Sequence, residues 1–271
     1  MRELLSRARR ALKDKGVRYV VRFGAFHPMK ISAECLYHRV FRSFRVFTFQ
    51  GSKYHYFFHK HNVTWSTERC VEIPIVWKAL GEHQGREILE VGNVLSHYYP
   101  VKHDIVDKYE VFDGVINQDV VDFRPLKKYD LIVSISTMEH VGWDEDPRDK
   151  SKILGEPVKI LRALDNLQDC LASGGMMIIT FPVGQNPQLD KTLAEGRIAF
   201  AKRLCLKRVS RNKWVEADWA DCQGASYGAP HMAGNALVIL FIPKRWGSIG
   251  INGVRVHKAS VASPGVQRDD A

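Results

Sequence analysis

Two short apolar segments in the middle of the chain end in residues that could bind a small molecule. Residues 87–91 form the first segment and lead into Gly92, and Asp107 ends the second segment fifteen residues further on. Glycine lets the backbone approach a ligand closely, and a helix that starts beyond it attracts a negative group such as a carboxylate. A carboxylate at the position of Asp107 could accept both hydroxyls of a ribose, although Lys108 could pair with it instead.

Asp119 follows a third short apolar segment, at residues 114–117. Its carboxylate is placed to accept a hydrogen bond from the amino group of an adenine, and Asp122 is a nearby rival for that role. The loop at Gly92 lacks the GxGxxG pattern that a dinucleotide pyrophosphate needs, so an NAD enzyme is disfavoured.

These residues need a fold that brings the ends of several strands together. From about residue 65 the sequence alternates apolar strands with helices, and strands this apolar belong to a parallel sheet that is covered on both faces. The strand candidates are residues 87–91, 103–106, 114–117, 129–134, 176–181, 206–215 and 236–242, with helices predicted around residues 158–171 and 193–204. We predict a doubly wound α/β sheet, in which ligands bind beyond the carboxyl ends of the strands, where the strand order reverses.

Charge divides the chain into two regions. Residues 1–62 contain 14 Lys and Arg against three acidic residues, whereas the rest contains 26 against 27, within a net charge of +10 over 271 residues. We therefore predict a basic, aromatic-rich N-terminal extension or cap at residues 1–64, an α/β domain at residues 65–245, and a loose tail rich in glycine, serine and alanine at residues 246–271.

The N-terminal extension allows three interpretations. Residues 1–22 begin with a helical pattern whose leucines and arginines lie on opposite sides, which is typical of contact with an anionic membrane surface. The mixture of basic and aromatic residues is also compatible with nucleic-acid binding, although no RNA-binding module is recognisable. For residues 30–65 we favour a lid that packs its aromatic side chains on the α/β domain, because so many aromatics are rarely left in water.

Cysteine spacing and the lack of long apolar runs favour a cytoplasmic protein without a metal site. The five cysteines are odd in number and contain no CxxC pair, so a zinc ribbon or a disulfide framework is disfavoured. No segment approaches the about 20 apolar residues of a membrane span, and arginines interrupt the N-terminal pattern of a secretion signal. The acidic run at residues 144–146 has no further ligand at a metal-binding spacing, so we predict a solvated loop there.

Five sequence segments, taken together in their order and spacing, resemble class I S-adenosylmethionine-dependent methyltransferases of the type 11 kind. They lie at residues 88–92, 119–123, 129–134, 138–141 and 171–175, and the resemblance covers residues 65–243. It implies a seven-stranded Rossmann-like sheet whose last strand is antiparallel, with S-adenosylmethionine as the cofactor. By position, it assigns the methionine part to Glu90, Gly92 and Asn93, the ribose to Asp107, the adenine to Asp119 and Val120, and the pocket near the sulfonium to Ser134 and Thr137.

The loop after the first strand departs from the family pattern. The family has two or three glycines there, whereas this chain has Asn93 and Leu95 after the single Gly92. Asparagine tolerates a positive φ better than most residues, so the turn can be kept. The departure also leaves open a non-catalytic binding module that has the fold without the activity.

Methyl transfer needs alignment, exclusion of water and, for a hydroxyl acceptor, a base. His140 after the fourth strand and His231 in the polar loop at residues 218–234 are the candidate bases, although His140 could instead shape the pocket at the start of a helix. Similar chains look like enzymes of glycan or lipopolysaccharide modification. We therefore expect O-methylation of a sugar, a glycan or another small acceptor by a cytoplasmic enzyme at the inner membrane surface. RNA methylation through the basic extension is the alternative.

Overall fold

The computed structural model describes residues 27–143, 157–211 and 213–245. The predicted helix within residues 1–22, the acidic run at residues 144–146 and the tail at residues 246–271 lie outside these ranges. Within them, no helix combines the length and the apolar composition that crossing a bilayer requires.

The described part of the fold contains five helices and ten strands. In chain order the elements are α1 (His27–Phe41), β1 (Val46–Phe49), β2 (Ser52–His55), α2 (Arg69–Glu82), β3 (Ile88–Val91), β4 (Asp104–Val106), β5 (Val115–Ile116), β6 (Tyr129–Ile135), α3 (Pro157–Cys170), β7 (Leu171–Pro182), α4 (Pro187–Ala194), β8 (Lys202–Ser210), β9 (Lys213–Ala217), α5 (Trp219–Cys222) and β10 (Ala236–Pro243). Short 3-10 turns occupy His61–Ser66, Leu95–His97 and Met138–His140.

Eight of the strands form one sheet, in the spatial order β5-β4-β3-β6-β7-β10-β8-β9. Strands β5, β4, β3, β6 and β7 are parallel, whereas β10 runs antiparallel to both β7 and β8. The central strands are almost continuously apolar, because both faces of the sheet are covered. The predicted doubly wound α/β sheet, with an antiparallel last strand, is therefore confirmed.

The sheet contains one strand more than the seven that were predicted. The segment at residues 206–215 is not a single strand, because β8 and β9 form an antiparallel hairpin in which Ser210 lies opposite Lys213. Alternating residues continue on both sides of this turn, so the sequence pattern alone does not show the reversal. The extra strand lies at the edge of the sheet.

The helix predicted at residues 193–204 begins earlier than expected. The side chain of Asn186 accepts hydrogen bonds from the backbone N–H groups of Gln188 and Leu189, and Pro187 occupies the first helical position. Both features favour a helix start. The chain then leaves helix α4 after Ala194, and strand β8 occupies the second half of the predicted range.

Two hydrophobic cores lie on opposite faces of the sheet. Ile132 of β6 faces the core to which helices α3 and α4 contribute, whereas its neighbours Leu131 and Val133 face the other core. Helix α2 and the aromatic side chains that follow α1 cover this second face. Those aromatics are Phe47, Phe49, Tyr56, Phe58 and Trp65. The segment that precedes α2 is therefore anchored on the sheet by its aromatic side chains.

Candidate functional site

A cavity of about 540 Å³ lies beyond the carboxyl ends of β3, β4 and β6. Strands β4 and β5 lie on one side of β3, and the chain then returns to β6 on the other side, so the strand order reverses here. Six of the predicted site residues line this cavity. They are Gly92, Asp107, Asp119, Val120, Thr137 and His140.

Gly92 holds the end of β3 against the loop that follows β6. Its φ is +87°, and its N–H donates a 2.8 Å hydrogen bond to the carbonyl of Val106. A Cβ at this position would lie 2.1 Å from Oγ1 of Thr137. Only glycine combines this backbone conformation with this close approach. The positive φ of the turn falls on Gly92 and not on Asn93.

Asp107 organises the loops on both sides of the cavity. Its Oδ2 accepts a 3.0 Å hydrogen bond from the N–H of Asn93, and its Oδ1 accepts hydrogen bonds of 2.8 Å from the N–H groups of Tyr109 and Glu110. The carboxylate thus fixes the loop after β3 and the loop after β4 relative to each other. This arrangement keeps a hydrogen-bond acceptor, the Asp107 carboxylate, in a fixed orientation at the wall of the cavity.

Asp119 is held by two lysines. Its Oδ2 lies 2.9 Å from Nζ of Lys108 and 2.9 Å from Nζ of Lys159, and its Oδ1 accepts a 3.1 Å hydrogen bond from the N–H of Val121. Burial alone would raise the pKa of Asp119, but the hydrogen bonds from Lys159 and Lys108 outweigh burial and lower the pKa to about 2. The carboxylate is therefore charged at any physiological pH. Asp122, the alternative candidate for the adenine contact, is exposed and does not line the cavity.

Glu90, Asn93 and Ser134 lie beneath the cavity and do not line it. Oε1 of Glu90 accepts hydrogen bonds from two N–H groups of the following loop, and its Oε2 lies 2.8 Å from Nε2 of His103. Oγ of Ser134 donates to the carbonyl of Val91, and Oδ1 of Asn93 accepts from Oγ of Ser96. These hydrogen bonds fix the end of β3 and the loop that follows it, and a role of the three side chains in binding the methionine part or the sulfonium stays a prediction.

The structure separates the two candidate bases. His140 lines the cavity, and its Nε2 lies 3.2 Å from Nε2 of Gln185 and 4.0 Å from Oε1 of Glu139. His231 lies in the loop before β10 and does not line the cavity. Burial and the nearby positive charge of Arg208 lower the pKa of His231. Of the two histidines, only His140 is therefore placed beside the candidate site.

Sequence reasoning missed a group of three buried carboxylates next to this cavity, Glu68, Glu72 and Glu139, which we call the acid cluster. Oε1 of Glu72 accepts hydrogen bonds of 2.6 Å from the hydroxyls of Ser136 and Thr180. Two of the three acids begin helix α2, where acidic residues are ordinary in a sequence. Nothing in the sequence distinguished them from a solvated first turn.

Arg69 joins the start of α2 to the end of β6. Its Nη1 lies 3.4 Å from Oε2 of Glu72 and donates a 2.7 Å hydrogen bond to the carbonyl of Ile135, and its Nη2 donates to the carbonyl of Ser136 at 3.3 Å. Oε2 of Glu68 accepts a 2.9 Å hydrogen bond from the N–H of Gly234. The acid cluster is therefore fixed between helix α2, strand β6 and the loop that precedes β10.

Glu139 differs from the other members of the acid cluster. It is 1% exposed, and neither of its carboxylate oxygens has a hydrogen-bond partner within the described residues. Burial raises the pKa of Glu139 well above its usual value, and the negative charge of Glu72 adds to the effect. Thr137 and His140, in the same turn, line the cavity. Glu139 is therefore a buried carboxyl group in the turn that supplies two residues of the cavity wall, and no described residue donates a hydrogen bond to it.

Comparison with known proteins gives remote likenesses only. No protein-family model matches the chain, and no curated protein matches it in sequence. The N-methyltransferase NodS from Bradyrhizobium japonicum WM9, in complex with S-adenosyl-l-homocysteine, aligns at 12% identity and a TM-score of 0.38, over 65% of this chain and 87% of that one. An rRNA methylase from Streptococcus thermophilus aligns at 12% identity and a TM-score of 0.36, over 64% of this chain and 97% of that one.

A third solved structure, a SAM-dependent methyltransferase from Thermotoga maritima, is similarly distant. It aligns at 14% identity and a TM-score of 0.38, over 65% of this chain and 91% of that one. Likenesses at this level do not assign a reaction to this chain.

Proposed function

We propose that this protein transfers a methyl group from S-adenosylmethionine to an acceptor. The observation that carries the proposal is the convergence of Gly92, Asp107 and Asp119 on one cavity at the point where the strand order reverses. Three separate strand ends contribute these residues. The sequence predicts each of them to bind a different part of one nucleoside ligand. All three line the same cavity, and the carboxylate of Asp107 is held there in a fixed orientation by three backbone N–H groups.

The residues at the cavity fit the parts of that cofactor. The carboxylate of Asp107, fixed by three backbone N–H groups, would accept hydrogen bonds from the ribose hydroxyls. Asp119 and Val120 would border the adenine, and the Gly92 turn would border the methionine part. Bound S-adenosylmethionine supplies a methyl group on a positively charged sulfur. The protein's share is to align the acceptor and exclude water.

We propose a hydroxyl group of a sugar or glycan as the acceptor, with His140 as the base that takes its proton. His140 lines the cavity, and a histidine that can accept a proton is the ordinary general base for a hydroxyl acceptor. A small acceptor reached from the cytoplasmic side of a membrane would accord with the basic extension. The extension supports RNA as an alternative acceptor, because an excess of lysine and arginine also attracts phosphates.

Transfer of a labelled methyl group from S-adenosylmethionine to extracted membrane glycans tests this proposal. We expect label in the glycan fraction with the wild-type protein, and a loss of about 100-fold or more in a His140→Gln variant that still binds the cofactor. Label in RNA instead would select the alternative acceptor. A folded, cofactor-binding protein that labels neither fraction would leave the non-catalytic binding module as the better account.

A further inference from the structure

A second cavity, of about 490 Å³, lies between the end of α1 and the turn that joins β8 to β9. It shares no lining residue with the candidate cofactor site. Strand β8 is parallel to β7, because both are antiparallel to β10, so its end at Ser210 lies at the carboxyl edge of the sheet. The second cavity and the candidate site therefore open from the same edge of the sheet.

Positive charge dominates the wall of this second cavity. Arg42, Arg45 and Arg211 line it, and among the described residues the carboxylate of Glu34 is the only one in the wall. Glu34 also lies 3.9 Å from Nζ of Lys30, so that its charge is shared with a residue outside the wall. Three guanidinium groups that line one cavity give its wall a strongly positive potential. The wall thus has the charge of an anion-binding site.

His38 supplies a buried polar atom at the same wall. Its ring stacks on Trp65, with centroids 5.5 Å apart and an interplanar angle of 20°, and packs against Phe58 at 5.0 Å. The residue is 6% exposed, and its Nδ1 has no hydrogen-bond partner within the part of the chain that the structure describes. Buried polar atoms are normally satisfied, so an unsatisfied nitrogen in a cavity wall indicates a missing partner.

The electrostatics of His38 agree with this geometry. Burial lowers its pKa first, and the positive charges of Arg42 and Arg211 lower it further. The ring is therefore neutral at physiological pH and can donate one hydrogen bond to an acceptor. An anion in the cavity could accept that hydrogen bond.

We propose that this cavity binds a phosphoryl group, held by Arg42, Arg45 and Arg211 and hydrogen-bonded to His38. The planar guanidinium group matches two oxygens of a phosphate at once, and three arginines in one wall suit a ligand with several anionic oxygens. The phenol of Tyr37 accepts a 3.5 Å hydrogen bond from Nη2 of Arg42, which orients that guanidinium group. The volume leaves room for the group that carries the phosphate.

The phosphoryl group could belong to a lipid headgroup or to a soluble phosphate ester, and the chemistry of recognition is the same. Large apolar side chains on and after α1, the helix that contributes Glu34, Tyr37 and His38 to the wall, are exposed, which suits contact with a lipid surface. They are Met29, Leu36, Val40, Phe41 and Phe44. A soluble sugar phosphate would use the same arginines without these apolar residues.

Paired variants of equal charge test the proposal. Arg42→Gln/Arg211→Gln removes two cavity charges, and Arg39→Gln/Lys53→Gln removes two exposed charges elsewhere in the same region. Glycerol 3-phosphate is titrated calorimetrically, and binding to vesicles of phosphatidylglycerol and phosphatidylcholine is measured at constant ionic strength against vesicles of phosphatidylcholine alone. S-adenosylmethionine binding on the same samples reports the other cavity separately, so that failure of the proposed reaction would not be mistaken for failure of this site.

We expect the cavity pair to weaken binding of at least one probe by about ten-fold or more, and the control pair by less than about three-fold. An effect on glycerol 3-phosphate alone identifies a soluble ester, and an effect on anionic vesicles identifies a lipid headgroup. Equal losses for the two pairs, or no binding of either probe by the wild-type protein, would overturn the proposal.

Discussion

The turn that follows β6 has β3 and β4 on one side and helix α2 on the other, and the carboxyl groups on these two sides differ in their hydrogen bonding. On the side of β3 and β4, Asp107 accepts three backbone hydrogen bonds and Asp119 is held by two lysines. On the side of α2, Glu139 of the acid cluster is buried with both oxygens unpaired in the described structure. The first side is held by hydrogen bonds and ion pairs, whereas the second contains a buried carboxyl group to which no described residue donates a hydrogen bond. The difference is consistent with the proposal of a fixed cofactor site next to an acceptor site.

Replacing Gly92, on the side of β3 and β4, should have the largest effect, because it should lower both stability and cofactor binding. In Gly92→Ala, the new Cβ would clash with Thr137 at a backbone φ of +87°. We expect a loss of about 2–5 kcal/mol in unfolding free energy and about 100-fold weaker cofactor binding. Chemical denaturation and calorimetric titration measure the two quantities.

Gly114→Ala is the matched control for that change. Gly114 has a similar φ of +79°, but a Cβ there would meet nothing within 4 Å. The control should therefore lose only the about 1–2 kcal/mol of the left-handed backbone and retain cofactor binding. Equal losses for Gly92→Ala and Gly114→Ala would show that the contact with Thr137 has no importance.

Glu72→Ala should have the next largest effect, on the second side. The change leaves Arg69 without its buried counter-charge and the hydroxyls of Ser136 and Thr180 without their acceptor. We expect a loss of about 3–5 kcal/mol in unfolding free energy, measured by chemical denaturation. A loss below about 1 kcal/mol would mean that α2 is not fixed to the end of β6 through this carboxylate.

Glu139→Gln should change how the unfolding free energy depends on pH. Because burial raises the folded-state pKa of Glu139 above its unfolded value, the folded state binds the extra proton, and wild-type stability falls as the pH rises above about 4.3. Glutamine does not titrate, so the variant should gain stability relative to wild type between pH 4 and pH 7, by at most about 1.4 kcal/mol per pH unit. Denaturation curves at several pH values measure this gain, and a flat difference would contradict the unpaired state of Glu139.

Asp119→Asn should have the smallest effect. The folded-state pKa of about 2 lies below the unfolded value, so the ionised carboxylate contributes stability above about pH 4 that is lost as the pH falls toward 2. After allowance for solvent screening of the partly exposed lysines, we expect the variant to be about 1–2 kcal/mol less stable at pH 7. The difference should shrink in acid-denaturation curves below pH 4, and a difference that persists there would have another cause.

The sequence allowed the sheet and part of the site to be predicted. Continuous apolar strands that end in Gly92, Asp107 and Asp119 require a parallel sheet, and parallel strands bring their carboxyl ends to one edge. The role of Glu90 was harder to predict, because a carboxylate that caps a loop from beneath and one that binds a ligand are the same residue in a sequence. The proposed division at residue 64 stays a prediction.

The acid cluster could not be predicted because it depends on backbone conformation. Ser136 has a φ of +38°, which turns the chain so that Thr137 and His140 face the cavity while Glu139 faces α2. Sequence periodicity carries no signal for such a turn. The hairpin between β8 and β9 was missed for a similar reason, since alternation of side chains continues through the reversal.

Calorimetric titration of S-adenosylmethionine into the wild-type protein, Asp107→Ala and Asp113→Ala tests the central claim most directly. Asp113 is an exposed acid that does not line the cavity, so it controls for the loss of one charge. We predict micromolar binding by the wild type and by Asp113→Ala, and binding at least about 30-fold weaker by Asp107→Ala while it remains folded. No binding by the folded wild-type protein, or equal binding by all three, would contradict the assignment of this cavity to the cofactor.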